Sequence, residues 1–158
     1  TEKVIAAAGN LKVVGRAGIG VDNIDTKAAT AKGIIVMNTP FGNSITTAEH
    51  AISMMMALAR QIPAADASTQ AGKWEKNRFM GVELYAKTLG IIGYGNIGSQ
   101  VSVLAEGLGM KVLFYDTITK LPLGNAVAKK SLKELLQQSD IVTLHVPETL
   151  HTKNLINK

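Results

Sequence analysis

Apolar residues gather in five short β-rich runs, at 12–14, 34–36, 88–92, 111–115 and 141–144, separated by stretches whose polar and apolar positions suit helices. Thr1 to Ala8 reads as the end of a helix closed by Gly9-Asn10. Asp25 is placed to cap a helix running to Lys32, with Gly33 as its exit. Thr46 and Glu49 have the spacing of a capping box for a helix reaching about Arg60, and Pro63 marks an interruption before a shorter helix that ends near Gly72. A further helix is expected from Ile97 to about Leu108, stopped by Gly109. Ser131 and Glu134 form a second capping box, ahead of Leu135-Leu136. Strands and helices alternate, so the expected class is α/β, with a mostly parallel sheet covered by helices.

The run at 88–92 passes directly into Gly93-Tyr94-Gly95-Asn96-Ile97-Gly98. A bare G-x-G-x-x-G pattern is weak evidence, but a strand before it and a helix after it give each glycine a task. Gly93 turns the chain, Gly95 lets a phosphate approach the backbone, and Gly98 allows the helix to pack closely. Amides at the helix start, including those of Asn96 and Ile97, lack backbone acceptors and suit a pyrophosphate. Asp116 ends the next strand, where an acid can hold both ribose hydroxyls and its charge disfavours the extra phosphate of NADP. The pattern therefore predicts a Rossmann-type doubly wound sheet binding NAD. Lys120, close behind Asp116, is a reservation about NADP. FAD stays open, as does an ordinary turn in which Asp116 caps a loop. The turn lacks the G-x-x-x-x-G-K-Ser/Thr order of an ATP-binding loop.

Composition narrows the field. The 158 residues are 46% hydrophobic and 18% charged, enough for a substantial core, and no apolar run has the length of a membrane-spanning helix. A formal charge of +5 is spread along the chain, and only 4% of residues are aromatic, which argues against a nucleic-acid surface. The chain has no cysteine, which removes disulfides and thiolate chemistry. His50, His145 and His151 form no short chelating motif, so no metal site is expected. Met54-Met55-Met56 most simply supplies core or subunit packing. The expected location is cytoplasmic.

Four ordered segments carry a family resemblance: 14–25 (VGRAGIGVDNID), 38–43 (NTPFGN), 89–98 (LGIIGYGNIG) and 144–147 (LHVP). Together they span essentially the whole chain, which resembles the D-isomer-specific 2-hydroxyacid dehydrogenases, especially members that oxidise 3-phospho-D-glycerate with NAD at the entry to serine synthesis. The resemblance implies that residues 1–42 form part of a flavodoxin-like substrate domain and residues 43–158 part of the NAD-binding domain, both incomplete. It places Arg16, Ala17, Gly18 and Asn43 beside the substrate's carboxylate or phosphate. It places Gly93, Gly95, Asn96, Ile97, Gly98, Asp116, His145, Val146, Pro147 and Thr152 along the cofactor. Each assignment has a plainer competitor: a salt bridge for Arg16, a structural turn for Asn43, a satisfied structural histidine for His145.

The family's catalytic arginine, acid and histidine are expected beyond Lys158, so no residue of this chain is assigned a catalytic role and the chain alone should be nearly inactive. The resemblance also implies a homodimer or higher homo-oligomer, with helices between about 44 and 80 at the interface. A non-catalytic dinucleotide-binding or dimerisation module is the alternative from a different class, and another 2-hydroxy acid is the alternative substrate.

Overall fold

The computed structural model describes residues 1–157. The chain forms two compact units, Thr1–Ser44 and the residues from Ile45 onward.

The first unit runs α1 (Glu2–Ala7), β1 (Val13–Arg16), α2 (Thr26–Ala31) and β2 (Ile35–Asn38). Parallel pairing sets Val13 opposite Ile35 and Arg16 opposite Asn38. Those ladder bonds carry β1 past the valines, so Gly15 and Arg16 end the strand instead of opening the loop. Asp25 Oδ1 accepts the Ala28 N–H at 2.9 Å, the expected cap of α2. The Lys32 ammonium donates to the Ile5 and Ala6 carbonyls at 3.0 and 2.7 Å, near the end of α1, where carbonyls run short of helical partners. Ile5, Ala29 and Ile34 form the unit's small core.

The second part opens with α3 (Ser44–Ala59), three residues earlier than the capping-box spacing suggests. The preceding turn, closed by the Gly42 N–H on the Thr39 carbonyl at 3.2 Å, leads almost directly into the helix, so Thr46 and Glu49 lie inside it. The break before α4 (Ile62–Gln70) falls on Gln61, which is left-handed at φ 54°, and Pro63 sits in the first turn of α4. Proline is suited there, because the first helical amides have no acceptor in the helix. A 3₁₀ turn, Lys76–Phe79, follows.

The sheet is built from β3 (Thr88–Ile92), β4 (Lys111–Tyr115), β5 (Val127–Ala128) and β6 (Ile141–Leu144), with α5 (Asn96–Gly107) and α6 (Leu132–Gln138) as crossovers. All strand pairs are parallel and the order is β5-β4-β3-β6. The chain thus steps outward from β3 through β4 to β5 and then returns to the other side of β3. That reversal at β3 and β6 creates the crevice at which open α/β sheets bind ligands.

Four of the five β3 residues are buried, consistent with a central strand covered on both faces. Helix α5 buries Gly98, Val101, Ser102 and Ala105, one stripe at helical spacing. With Leu89, Ile91, Val112 and Phe114 they make the centre of the core. Gly109, at φ +73°, ends α5: its N–H bonds to Glu106 O at 2.8 Å and the Met110 N–H to Ala105 O at 3.1 Å. At α6 the Ser131 hydroxyl accepts the Glu134 N–H at 3.2 Å, while Glu134 Oε2 reaches the amide of Lys130, one residue before the cap. That backbone bond is the chief reason the Glu134 carboxyl lies below its usual range.

Candidate dinucleotide site

The carboxyl ends of β3, β4 and β6 carry the glycine turn, Asp116 and His145, and backbone bonds lace these ends together. The Gly93 N–H donates to Tyr115 O at 2.9 Å, and the His145 N–H donates to Ile92 O at 2.8 Å.

The three glycines differ in what surrounds them. Gly93 lies at φ +90°, and a Cβ there would stand 2.6 Å from the His145 carbonyl oxygen and 2.7 Å from Val146 Cγ1. A Cβ on Gly98 would overlap the Gly93 carbonyl oxygen, because the first turn of α5 rests on the turn itself. Gly95 differs: nothing lies within 4 Å of where its Cβ would be. The fold alone tolerates a side chain at Gly95, and the space over it is what a pyrophosphate resting on the start of α5 would fill. Gly95 is also the N-cap and offers no side chain to compete for the first amides. The residues present therefore fit a dinucleotide.

Asp116 is partly buried and held by two amides. Its Oδ2 accepts the Tyr94 N–H at 2.8 Å and its Oδ1 accepts the Ile118 N–H at 3.1 Å. A carboxylate oxygen has more than one acceptor position, so both oxygens keep capacity for ribose hydroxyls. Capping a loop and holding a ribose are compatible roles for this side chain.

Tyr94, which sequence reasoning left without a role, organises the turn. Its buried ring stacks on Phe114, with centroids 3.8 Å apart and planes 19° from parallel. The Ser102 hydroxyl donates to Ser99 O at 2.7 Å, so the 2.7 Å contact between Tyr94 Oη and Ser102 Oγ has the tyrosine as donor. Tyr94 Oη in turn accepts the Leu123 N–H at 3.1 Å. The loop after β4 is thus pinned to the glycine turn at Asp116 and again at Leu123. The signal in the sequence was Ser102, a polar residue on the buried stripe of α5, which needs a partner there.

His145 is partly buried, with Nε2 3.0 Å from Thr143 Oγ1. Burial lowers its pKa from the ordinary 6.5, favouring the neutral ring. Between the two pKa values the unfolded chain binds the proton and the folded chain does not. Stability is therefore insensitive to this group above pH 6.5 and falls as pH drops below it. Melting temperatures measured from about pH 8 to about pH 5 should fall more steeply in the parent chain than in His145→Gln. Parallel curves would remove this group from the pH dependence. Thr152 closes the following loop: its hydroxyl donates to Pro147 O at 2.6 Å and accepts the Thr149 N–H at 2.8 Å. Val146 lies against Gly93, and Pro147 is exposed.

Arg16, Ala17 and Gly18 lie in the first unit at the end of β1. Arg16 makes a loose ion pair with the exposed Asp22, Nη1 to Oδ1 3.8 Å, as the plainer reading expected. The loop below its guanidinium is fixed by Asn38 Nδ2 donating to Ile19 O at 2.7 Å and the Thr39 N–H donating to Gly18 O at 3.1 Å. The Gly18 N–H donates within the loop to Arg16 O at 3.0 Å, and Ala17 is exposed. Asn43 is exposed immediately before α3.

A parallel sheet in this order, with a glycine turn on β3 and an acid ending β4, defines an NAD-binding domain, and comparison specifies which kind. Residues 52–158 match the family model described as D-isomer specific 2-hydroxyacid dehydrogenase, NAD binding domain, and the chain belongs to that family. Among curated relatives it is 51% identical to a D-3-phosphoglycerate dehydrogenase of Archaeoglobus fulgidus over 99% of this chain and 30% of that protein. It is 50% identical to the one from Synechocystis sp., over 99% of this chain and 29% of that protein. The chain thus spans under a third of their length. The crystal structure of NAD-dependent formate dehydrogenase from Staphylococcus aureus in complex with NAD superposes with a TM-score of 0.89 at 31% identity, covering 99% of this chain and 48% of that one.

Proposed function

We propose that this chain is the cofactor-carrying part of a D-3-phosphoglycerate dehydrogenase that oxidises 3-phospho-D-glycerate to 3-phosphohydroxypyruvate in serine biosynthesis. The observation that carries this reading is the roughly half identity to enzymes of that name over nearly the whole chain, together with a glycine cradle whose only unfilled position is Gly95. Bound NAD supplies a hydride acceptor. The protein's share is binding and orientation. The start of α5 and Gly95 hold the pyrophosphate, and Asp116 holds the adenosine ribose. Gly93 and the backbone at His145-Val146-Pro147 shape the cleft at the switch point, with Thr152 bracing the loop that follows.

In this reading residues 1–42 belong to the substrate domain and residues 43–158 to the NAD-binding domain. Arg16, with its weak partner Asp22, is free enough to exchange that contact for a substrate oxyanion, which a guanidinium binds through two parallel bonds. Ala17, Gly18 and Asn43 complete that subsite. No residue here takes the catalytic acid–base role, so the chain alone binds NAD without turnover. The working protein is a cytoplasmic homo-oligomer. Leu58 on α3, 82% exposed, and Trp74, 86% exposed, are the apolar side chains that favour such an interface.

The test is a comparison of substrates with the whole protein that contains this chain. NAD-dependent oxidation should have a kcat/KM for 3-phospho-D-glycerate at least about tenfold above those for glycerate and D-lactate, the discrimination expected of a charge-assisted phosphate contact. Equal use of the unphosphorylated acids would replace this assignment with another D-2-hydroxyacid dehydrogenase.

A further inference from the structure

Beside the glycine turn lies a cavity of about 260 Å³, with Gly95, Asn96 and Ser99 on one side and Lys120, Leu121 and Leu123 on the other; no carboxylate lines it. Lys120 is half-buried and, among the described residues, has neither a hydrogen bond nor an ion pair. An ammonium on a cavity wall with no partner of its own is available to an anion that enters the cavity. The loop that carries Lys120 is pinned at both ends, by Asp116 on the amides of Tyr94 and Ile118 and by the Leu123 N–H on Tyr94 Oη. The backbone that carries Lys120 is thus fixed beside the cradle before any ligand arrives, which lowers the ordering cost of binding. Asp116 is the group that should exclude a ribose phosphate, but its charge is already shared with two N–H donors, and it makes no ion pair with Lys120.

We propose that Lys120 is a specificity-determining residue of this site: it receives a phosphate on the 2′ oxygen of the adenosine ribose, so the chain binds NADP as well as NAD. The proposal rests on the dinucleotide reading above and adds a second cofactor class. Asp116 still favours the free ribose, and Lys120 narrows the margin.

Titration calorimetry of the full chain at fixed ionic strength, with 5′-AMP, adenosine 2′,5′-bisphosphate, NAD and NADP, tests it. The bisphosphate should bind more tightly than 5′-AMP. Lys120→Ala should weaken the bisphosphate and NADP about fivefold or more, as expected for a charge-assisted contact at a half-exposed position. It should leave 5′-AMP and NAD within about twofold, a range ordinary for a surface truncation, and Lys120→Arg should retain the bisphosphate. Equal losses for 5′-AMP and the bisphosphate in Lys120→Ala would put Lys120 on the shared 5′-phosphate and overturn the proposal. So would a parent chain that binds the bisphosphate no better than 5′-AMP. If none of the four ligands binds, the dinucleotide reading itself falls, and this inference falls with it.

Discussion

Gly98→Ala is expected to abolish measurable NAD binding and to lower the stability of the chain by about 1–3 kcal/mol, the range for forcing an atom into a packed interior. The added methyl would overlap the carbonyl oxygen of Gly93. That oxygen belongs to backbone, so no side-chain rotation makes room. Either α5 lifts away from the turn or the turn itself shifts. Lifting α5 exposes part of the stripe formed by Val101, Ser102 and Ala105 and disturbs the Tyr94–Ser102 contact. Moving Gly93 breaks its packing on His145 and Val146. Both routes displace the amides at the start of α5 that are proposed to meet the pyrophosphate. Gly95→Ala is the control, since its methyl meets nothing in the free chain. It should keep the parent melting temperature and still bind NAD more weakly, because the methyl would enter the space proposed for the phosphate. Denaturant unfolding and NAD titration on both variants separate fold from site. A Gly95→Ala chain with full NAD affinity would show that the cofactor does not pass over this residue.

The difference between these two glycines marks the boundary of what the sequence allowed. The order of elements was legible, because each core strand is a compact β-rich run and its turn residues are close by. Asp25 and Gly109 could be read as cap and stop since their partners lie within a few residues. The start of α3 was misplaced for a related reason: Thr46 and Glu49 satisfy the local rule, but the chain leaves the Thr39–Gly42 turn already committed to the helix at Ser44. Strand β5 went unnoticed, because two exposed residues carry no pattern and Val127–Ala128 are ordered only by their pairing with Leu113 and Phe114. The candidate site followed the same division. Its glycines and its acid stand at recognisable spacing, whereas the Tyr94 hydroxyl meets an amide 29 residues away. No local pattern signals such a bond.

Asp116→Ala should weaken NAD binding by about 100-fold, and NADP binding by distinctly less. Charge-assisted hydrogen bonds are worth about 1.5–3 kcal/mol each, and 1.4 kcal/mol is tenfold in affinity. The alanine removes the acceptors for the ribose hydroxyls. It also releases the amides of Tyr94 and Ile118, so the glycine turn and the loop after β4 lose one of their two links. NADP suffers the same structural loss, but the negative charge that opposes its 2′-phosphate disappears as well, and the two effects partly cancel. Asp116→Asn separates them further. Its carbonyl oxygen can satisfy one of the two amides, but its NH₂ then faces the other N–H, donor against donor. The asparagine chain should therefore be nearly as poor for NAD as the alanine chain, despite having almost the shape of the parent. Calorimetric titration of both variants with NAD and NADP decides the point. NAD affinity within about twofold of the parent in Asp116→Ala would mean that the acid at the end of β4 serves the loop alone, and the grip on the adenosine ribose would then have to come from elsewhere on the cradle.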